Sequence, residues 1–352
     1  MSGHMFKRDA HINHMRDRIL LLTDCNPEIG FGHLTRCLSL AYAFGEAGWE
    51  VELWTSGDGP GQVRLPTWGK AIDWTCLPNQ VGAELKQAYA VVIDSMAAAA
   101  PLLERIAQIN PRLAIVDDWP RRPHDRGIVI DWTIGAENFA YPHKSPNVRY
   151  LLGAQYCALR PEFKAVRPRS FTQPPHAVLL TLGGSDIRHL TVPILFMLNE
   201  EFPTLHKHVI VGAGVGDKSF MDEMRNAHTT FHVACDAAQM CTVMAQADFA
   251  ICAGGQTLYE LASQGLPPMV ISVADNQQDD IRESDATGFA LVICDWTHPD
   301  LISKVAMGVR TVWPAAERKR RSAAGRQSID GCGAQRLAAA CLEHWSNQPA
   351  HV

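Results

Sequence analysis

The ten cysteines contain no CxxC pair, no D-x-D occurs anywhere, and no apolar run approaches the roughly 20 residues that cross a bilayer. Basic residues are outnumbered, with 32 Lys and Arg against 37 Asp and Glu. Each shortage excludes a class of protein. Without paired cysteine spacing there is no thiolate metal site or redox couple. Cysteines set in apolar runs, such as Cys76, Cys252 and Cys294, read as buried reduced thiols of a cytoplasmic protein. Without D-x-D a diphosphate-bound metal has no evident ligands, so neither metal nor cofactor is expected. Without a long apolar run no membrane insertion is expected, and residues 1–17 form a polar arm that lacks the apolar core of a secretory signal. At a net charge of −5, binding to nucleic acid has no basic surface to rest on.

What is present is alternation. The 352 residues are too many for one ordinary core, which predicts two domains. Short apolar runs ending in a polar residue (RILLLTD, VELWTS, YAVVIDS, LAIVDDW, GIVIDWT) alternate with helical patterns in the first half. HAVLLTLGG, HVIVGAG, TTFHVAC, DFAICAGG, PPMVISVA and FALVICD do so in the second. Continuous apolar strands between helices predict α/β domains with parallel, doubly wound sheets covered on both faces. The Pro-rich stretch at 166–176 reads as a linker, giving domains at 18–165 and 177–352, the latter closed by a C-terminal helix. Ligands of such sheets bind beyond the carboxyl ends of the strands. The simplest architecture that uses both sets of strand ends is a cleft between two facing domains.

The first of those strand ends leads into IGFGHLTRC, with Gly30 and Gly32 just ahead of His33. It is no dinucleotide fingerprint: Thr35 holds the third glycine position, and VELWTS has no acidic end for a ribose. A glycine turn lets backbone approach a ligand. His33, in the first turn of a helix, faces the positive end of the macrodipole, which favours the neutral imidazole that accepts a proton. The alternative is a histidine that only caps the turn. LTLGGSD and ICAGGQTLYE both run from a strand through Gly-Gly toward a helix. Backbone N–H groups at Gly184, Ser185, Gly254, Gly255, Gln256 and Thr257 are thereby candidates for a nucleotide diphosphate. Glu260, one turn further on, suits two ribose hydroxyls, or is a solvated helix glutamate. Asn276 and Gln277, directly after a strand, suit sugar hydroxyls or acetamido groups, or form a turn. Asp117 and Asp118 are adjacent, so they point to opposite faces and make a poor catalytic pair.

GFGHLTRCLSLA, VVIDS, AIVDDWPRRPHD, VIDWTIG, LLGAQYCALRPEF, LLTLGGSD, ADFAICAGGQTLYELASQGLPPMVISVADNQ and DGCGAQR follow in that order. Together they resemble the UDP-2,4-diacetamido-2,4,6-trideoxy-β-L-altropyranose hydrolase family of pseudaminic acid biosynthesis. The resemblance runs from about Arg18 to about Leu342. It implies the GT-B architecture of two Rossmann-like domains, related to the glycosyltransferase that forms lipid II. It further implies metal-independent hydrolysis of a UDP-sugar at the anomeric C–O bond, with inversion, feeding a nonulosonic acid used on flagellin or cell-surface polysaccharide. The family's catalytic histidine falls on His33, its UDP-binding stretch on Gly254 to Glu260 and its substrate asparagine on Asn276. Gly32 and Arg36 join the substrate contacts. Two positions depart: Met96 stands where an aromatic residue is common, and Gln256 where Ser is frequent. A GT-B glycosyltransferase and a catalytically silent binding module are the competing readings. The absence of a basic amphipathic helix or exposed apolar loop favours hydrolysis over transfer to a lipid. The expected partner is a UDP-sugar; a monomer is the default, since nothing in the sequence sets the oligomeric state.

Overall fold

The computed structural model describes residues 18–25, 32–57, 66–118, 122–141, 144–165 and 168–348. The expected arm at 1–17, Gly30 and the side chain of Asn276 lie outside the described residues. The chain divides into two compact units. One is Met1–Asp131, Asn138–Leu152 and Ala334–Val352; the other is Trp132–Glu137 and Gly153–Gly333.

The first unit carries β1 (Arg18–Asp24), β2 (Glu50–Ser56), β3 (Gly69–Ala71), β4 (Ala90–Asp94), β5 (Leu113–Val116), β6 (Gly127–Asp131) and β7 (Val148–Leu152). They form one sheet in the order β3-β2-β1-β4-β5-β6-β7, parallel throughout. Helices α1 (Gly32–Glu46), α2 (Asn79–Gln87) and α3 (Ala100–Ile109) connect the strands. The central strands β1, β4 and β5 bury nearly every side chain because helices cover both faces.

The second unit repeats the winding. It has β8 (Ala177–Thr181), β9 (His206–Val211), β10 (Thr229–Val233), β11 (Phe249–Ala253), β12 (Pro268–Ser272) and β13 (Leu291–Asp295), in the parallel order β10-β9-β8-β11-β12-β13. Its helices are α4 (Thr191–Glu201), α5 (Phe220–Glu223), α6 (Ala237–Gln246), α7 (Gln256–Ser263), α8 (Gln278–Ala286), α9 (Leu301–Val312) and α10 (Ala315–Ser328). In both sheets the order reverses beside the first strand, the switch point at which such folds bind ligands. No helix of the described residues is long and apolar enough to cross a membrane.

The units divide the chain elsewhere than the sequence suggests. The Pro-rich stretch is bound into the second unit by two arginines. Arg169 donates to the carbonyls of Ala247 (2.7 Å), Gln264 (2.8 Å) and Met244, where α6 and α7 end. Arg318, buried in α10, donates to the Thr172 carbonyl. Arg169, in the stretch that reads as a linker, is a clamp on two helix ends. The closing helix α11 (Gly333–Ser346) packs with the first unit: Trp345 stacks on Phe44 at 5.9 Å and Gln335 donates to Glu46 at 3.0 Å. The ten cysteines are free, but Cys76 is exposed and donates to Asp73 at 3.4 Å, so it is not a core thiol.

Candidate functional site

Two strand edges carry the candidate residues, and each is built within its own unit. In the first, β1, β4 and β6 end in Asp24, Asp94 and Asp131, and β5 runs into Asp117 and Asp118. Register places Thr23 of β1 beside Asp94 of β4. α1 starts at Gly32, so His33 stands in its first turn, as the sequence predicts. His33 and Arg36 are one turn apart on the same face.

The His33 Nδ1 lies 2.6 Å from Oδ1 of Asp94, whose side chain is fully buried. Burial opposes ionisation of Asp94, but the Arg36 guanidinium and His33 outweigh it and hold the carboxyl well below the usual range. An ionised carboxylate only accepts, so Nδ1–H donates to Asp94; in the neutral form of the ring this leaves the lone pair on Nε2. Asp94, not the helix start, thus decides which ring nitrogen is basic.

Arg36, expected among the substrate contacts, is held by acids of its own unit. Its Nε donates to Asp94 Oδ2 at 2.7 Å, Nη2 donates to Asp94 Oδ1, and Nη1 donates to Asp118. It is buried and engaged with these two acids, which fits a positioning role. Asp117 and Asp118 do diverge: Asp117 meets His124 Nε2 at 2.9 Å, while Asp118 takes Arg36. Tyr141 donates to Asp131 at 2.7 Å. Met96 is 44% exposed, so the position that departs from the family pattern is an open one. The pairing of Asp94 and Asp118 with the helix is not legible in the local sequence; a lone acid closing an apolar strand is the available signal.

In the second unit the two Gly-Gly loops differ. Gly183 and Gly184 do not open a helix. α4 begins later, at Thr191, and Asp186 occupies its start by accepting from the N–H groups of Leu190 and Thr191, both at 3.0 Å. The Gly184 carbonyl accepts from Gly214 N at 2.8 Å, and a Cβ at Gly212 would stand 2.2 Å from that same oxygen. Gly184 and Ser185 therefore belong to a loop-on-loop contact, not to a helix-start anion cradle.

Gly255, by contrast, immediately precedes α7 and offers no side-chain cap, leaving the first turn with Gln256 and Thr257 half-buried. A Cβ at Gly254 would lie 2.4 Å from Ile281, so only glycine fits there. Two amides expected at the ligand act as struts. Gln277 Oε1 accepts from Gly254 N (3.3 Å) and Val273 N (3.2 Å), and Gln256 Nε2 donates to the Ala158 carbonyl at 2.9 Å. Glu260 is no solvated glutamate: it is 4% exposed and its Oε1 accepts from Arg160 Nη2 at 2.8 Å. Burial pushes its carboxyl up, and Arg160 pulls against that. Ile187, just before α4, and Val192 and Phe196, in its first two turns, are all exposed, whereas the sequence predicts no exposed apolar loop.

No family model matches the chain. It is 24% identical to the uncharacterized protein MJ1062 of Methanocaldococcus jannaschii over 74% of this chain and 57% of that protein. It is 22% identical to the pseudaminic acid cytidylyltransferase and UDP-2,4-diacetamido-2,4,6-trideoxy-β-L-altropyranose hydrolase of Helicobacter pylori, over 77% of this chain and 47% of that one. It is also 27% identical to the spore coat polysaccharide biosynthesis protein SpsG of Bacillus subtilis, over 41% of this chain and 44% of that one. The chain thus spans about half the length of the curated relatives it matches. Among solved structures it is similar to Acinetobacter baumannii MurG, with TM-score 0.58, 14% identity and coverage of 93% and 99% of the two chains. The S. aureus MnaA–UDP co-structure gives TM-score 0.61, 12% identity and coverage of 95% and 99%. The spinosyn rhamnosyltransferase SpnG with thymidine diphosphate gives 0.56, 15%, 94% and 100%. At these identities the likeness carries the fold: two doubly wound, Rossmann-like α/β domains of the GT-B type.

Proposed function

We propose that this chain is an enzyme that hydrolyses a UDP-sugar at the anomeric C–O bond, releasing UDP and the free sugar. The observation that carries the reading is the 2.6 Å contact between His33 Nδ1 and the buried Asp94, which orients the ring so that, when neutral, it can accept a proton at Nε2. In the proposed step a water gives its proton to Nε2 and its oxygen to the anomeric carbon, while the bond to the UDP oxygen breaks. Asp94 stabilises the imidazolium that forms. The second unit holds the nucleotide: the uncapped start of α7 takes the charge that develops on the leaving diphosphate, and Glu260 takes the ribose. The substrate we favour is UDP-2,4-diacetamido-2,4,6-trideoxy-β-L-altropyranose, supported by the distant likeness to the Helicobacter pylori protein.

A second reading is glycosyl transfer, in which an acceptor hydroxyl replaces water. The exposed Ile187, Val192 and Phe196 favour it, since an apolar acceptor needs such a surface. Incubation with the UDP-sugar in the absence of any acceptor separates the two. UDP and free sugar released together support hydrolysis. Release only after an acceptor alcohol is added moves the enzyme to the transferases, and no release in either case sinks both readings.

A further inference from the structure

One face of α7 carries polar residues at successive turns: Gln256, Glu260 and Gln264. A single segment, Ala158 to Phe163, engages all three. Gln256 Nε2 donates to the Ala158 carbonyl at 2.9 Å, Arg160 Nη2 donates to Glu260 Oε1 at 2.8 Å, and Gln264 Nε2 donates to the Phe163 carbonyl at 3.0 Å. The segment lies along the helix like a strap, with its one charged contact in the middle. The Arg160 guanidinium also stands 5.2 Å over the Phe163 ring, which limits its swing. Oε1 of Glu260 is thus occupied, while Oε2 has no protein hydrogen bond among the described residues and is not a sealed, unpaired atom.

We propose that Arg160 is a positioning residue for Glu260: by holding Oε1 it fixes the carboxylate and leaves Oε2 to accept from a vicinal diol of the ligand. This rests on the reading of Glu260 as the ribose acceptor. The physical need is clear from the surroundings. Glu260 is buried and Glu162 adds a second negative charge nearby, so both influences favour the neutral acid. Arg160 is the counter-charge that keeps the group a double acceptor. A protonated Glu260 would offer one acceptor oxygen and one donor, and would bind a diol poorly.

Calorimetry of the full chain with UDP and with 2′-deoxy-UDP tests this. The wild type should prefer UDP by about tenfold, the worth of one hydrogen bond to a charged acceptor. Glu260→Ala should abolish that preference. Arg160→Met should weaken it at the low end of the pH range in which the protein stays folded and regain it as the pH is raised and the carboxyl ionises; Arg160→Lys should keep it throughout. Arg160→Gln, a neutral donor, serves in place of the Met variant if that one does not fold, and should show the same pH-dependent loss. If Glu260→Ala loses the preference while the neutral Arg160 variant keeps it unchanged across the whole pH range, the positioning role is overturned and the ribose assignment stands. If Glu260→Ala keeps the wild-type preference, the ribose assignment fails and the role of Arg160 falls with it.

Discussion

At the carboxyl edge of the first sheet the chain gathers ionisable side chains: His33, Arg36, Asp94, Asp118, Asp117 with His124, and Asp131 with Tyr141. At the same edge of the second sheet it gathers glycine, amide struts and an uncapped helix start, with one buried carboxylate. The two sheets share a winding order, so the contrast does not come from topology. On the proposed function it reflects a different task at each edge. Moving protons needs groups that change charge, held by other charges so that only one nitrogen is free. Binding a diphosphate needs dipoles that never change charge, close to the backbone, where glycine leaves room.

The comparison is broken most severely by removing the base. His33→Asn should lower kcat by about 10²–10⁴-fold and leave UDP affinity, measured by calorimetry, within experimental error. Asp94→Asn should lose a comparable factor, because the amide no longer fixes the proton on Nδ1. It should also lower the melting temperature, since Arg36 loses the carboxylate it holds by two nitrogens. Retention of more than a tenth of wild-type kcat in His33→Asn would remove the proton-transfer role from the first edge.

The complementary cut is in the second edge. Glu260→Ala should weaken UDP binding by about 1–3 kcal/mol. At saturating substrate its kcat should stay close to that of the wild type. A variant that loses kcat and keeps UDP affinity would invert the assignment of the two edges.

The edges were not equally legible in the sequence. The central strands could be read directly, because parallel strands buried on both faces are continuous apolar runs. β3 and β7 were missed: β3 has three residues, with Lys70 and Ala71 exposed, and the edge strand β7 is interrupted by exposed Arg149. His33 stood out because a strand-to-helix turn is a local pattern. Its partners did not, because Asp94 is 61 residues away and Asp118 is 82 residues from Arg36. The Arg160–Glu260 pair is 100 residues apart. Such contacts depend on how strands line up in the sheet. The amides misled for another reason: Gln277 and Gln256 can serve a ligand or the backbone with the same atoms, and only the fold decides which.

A smaller effect comes from acid. His206, His208 and His232 cluster across β9 and β10, with His208 Nδ1 3.1 Å from His232 Nε2. Burial first, then His206 and His232, hold His208 down to about 4 from an ordinary 6.5. The unfolded chain therefore takes up protons that the folded chain refuses, and stability falls as the pH drops from 6.5 toward 4. Asp94 is held below its ordinary 3.8, so its contribution persists over that window. Hydrogen exchange should show β9–β10 amides losing protection before β1–β4 amides, and His208→Leu should flatten the difference. The smallest expected effect is none: EDTA should leave turnover unchanged, since the sequence has no D-x-D and, among the described residues, no three His, Cys, Asp or Glu side chains are placed to hold a metal ion together. Activity lost in chelator and restored by Mg²⁺ would place a metal at the second edge.

The central claim is that His33 delivers water to the anomeric carbon, and the fate of the solvent oxygen tests it most directly. In H₂¹⁸O the label should enter the released sugar and not the UDP, and proton NMR should show the inverted anomer before mutarotation sets in. One base acting through water suits a single displacement. Label in the UDP phosphate would mean P–O cleavage, and would contradict the role given to His33.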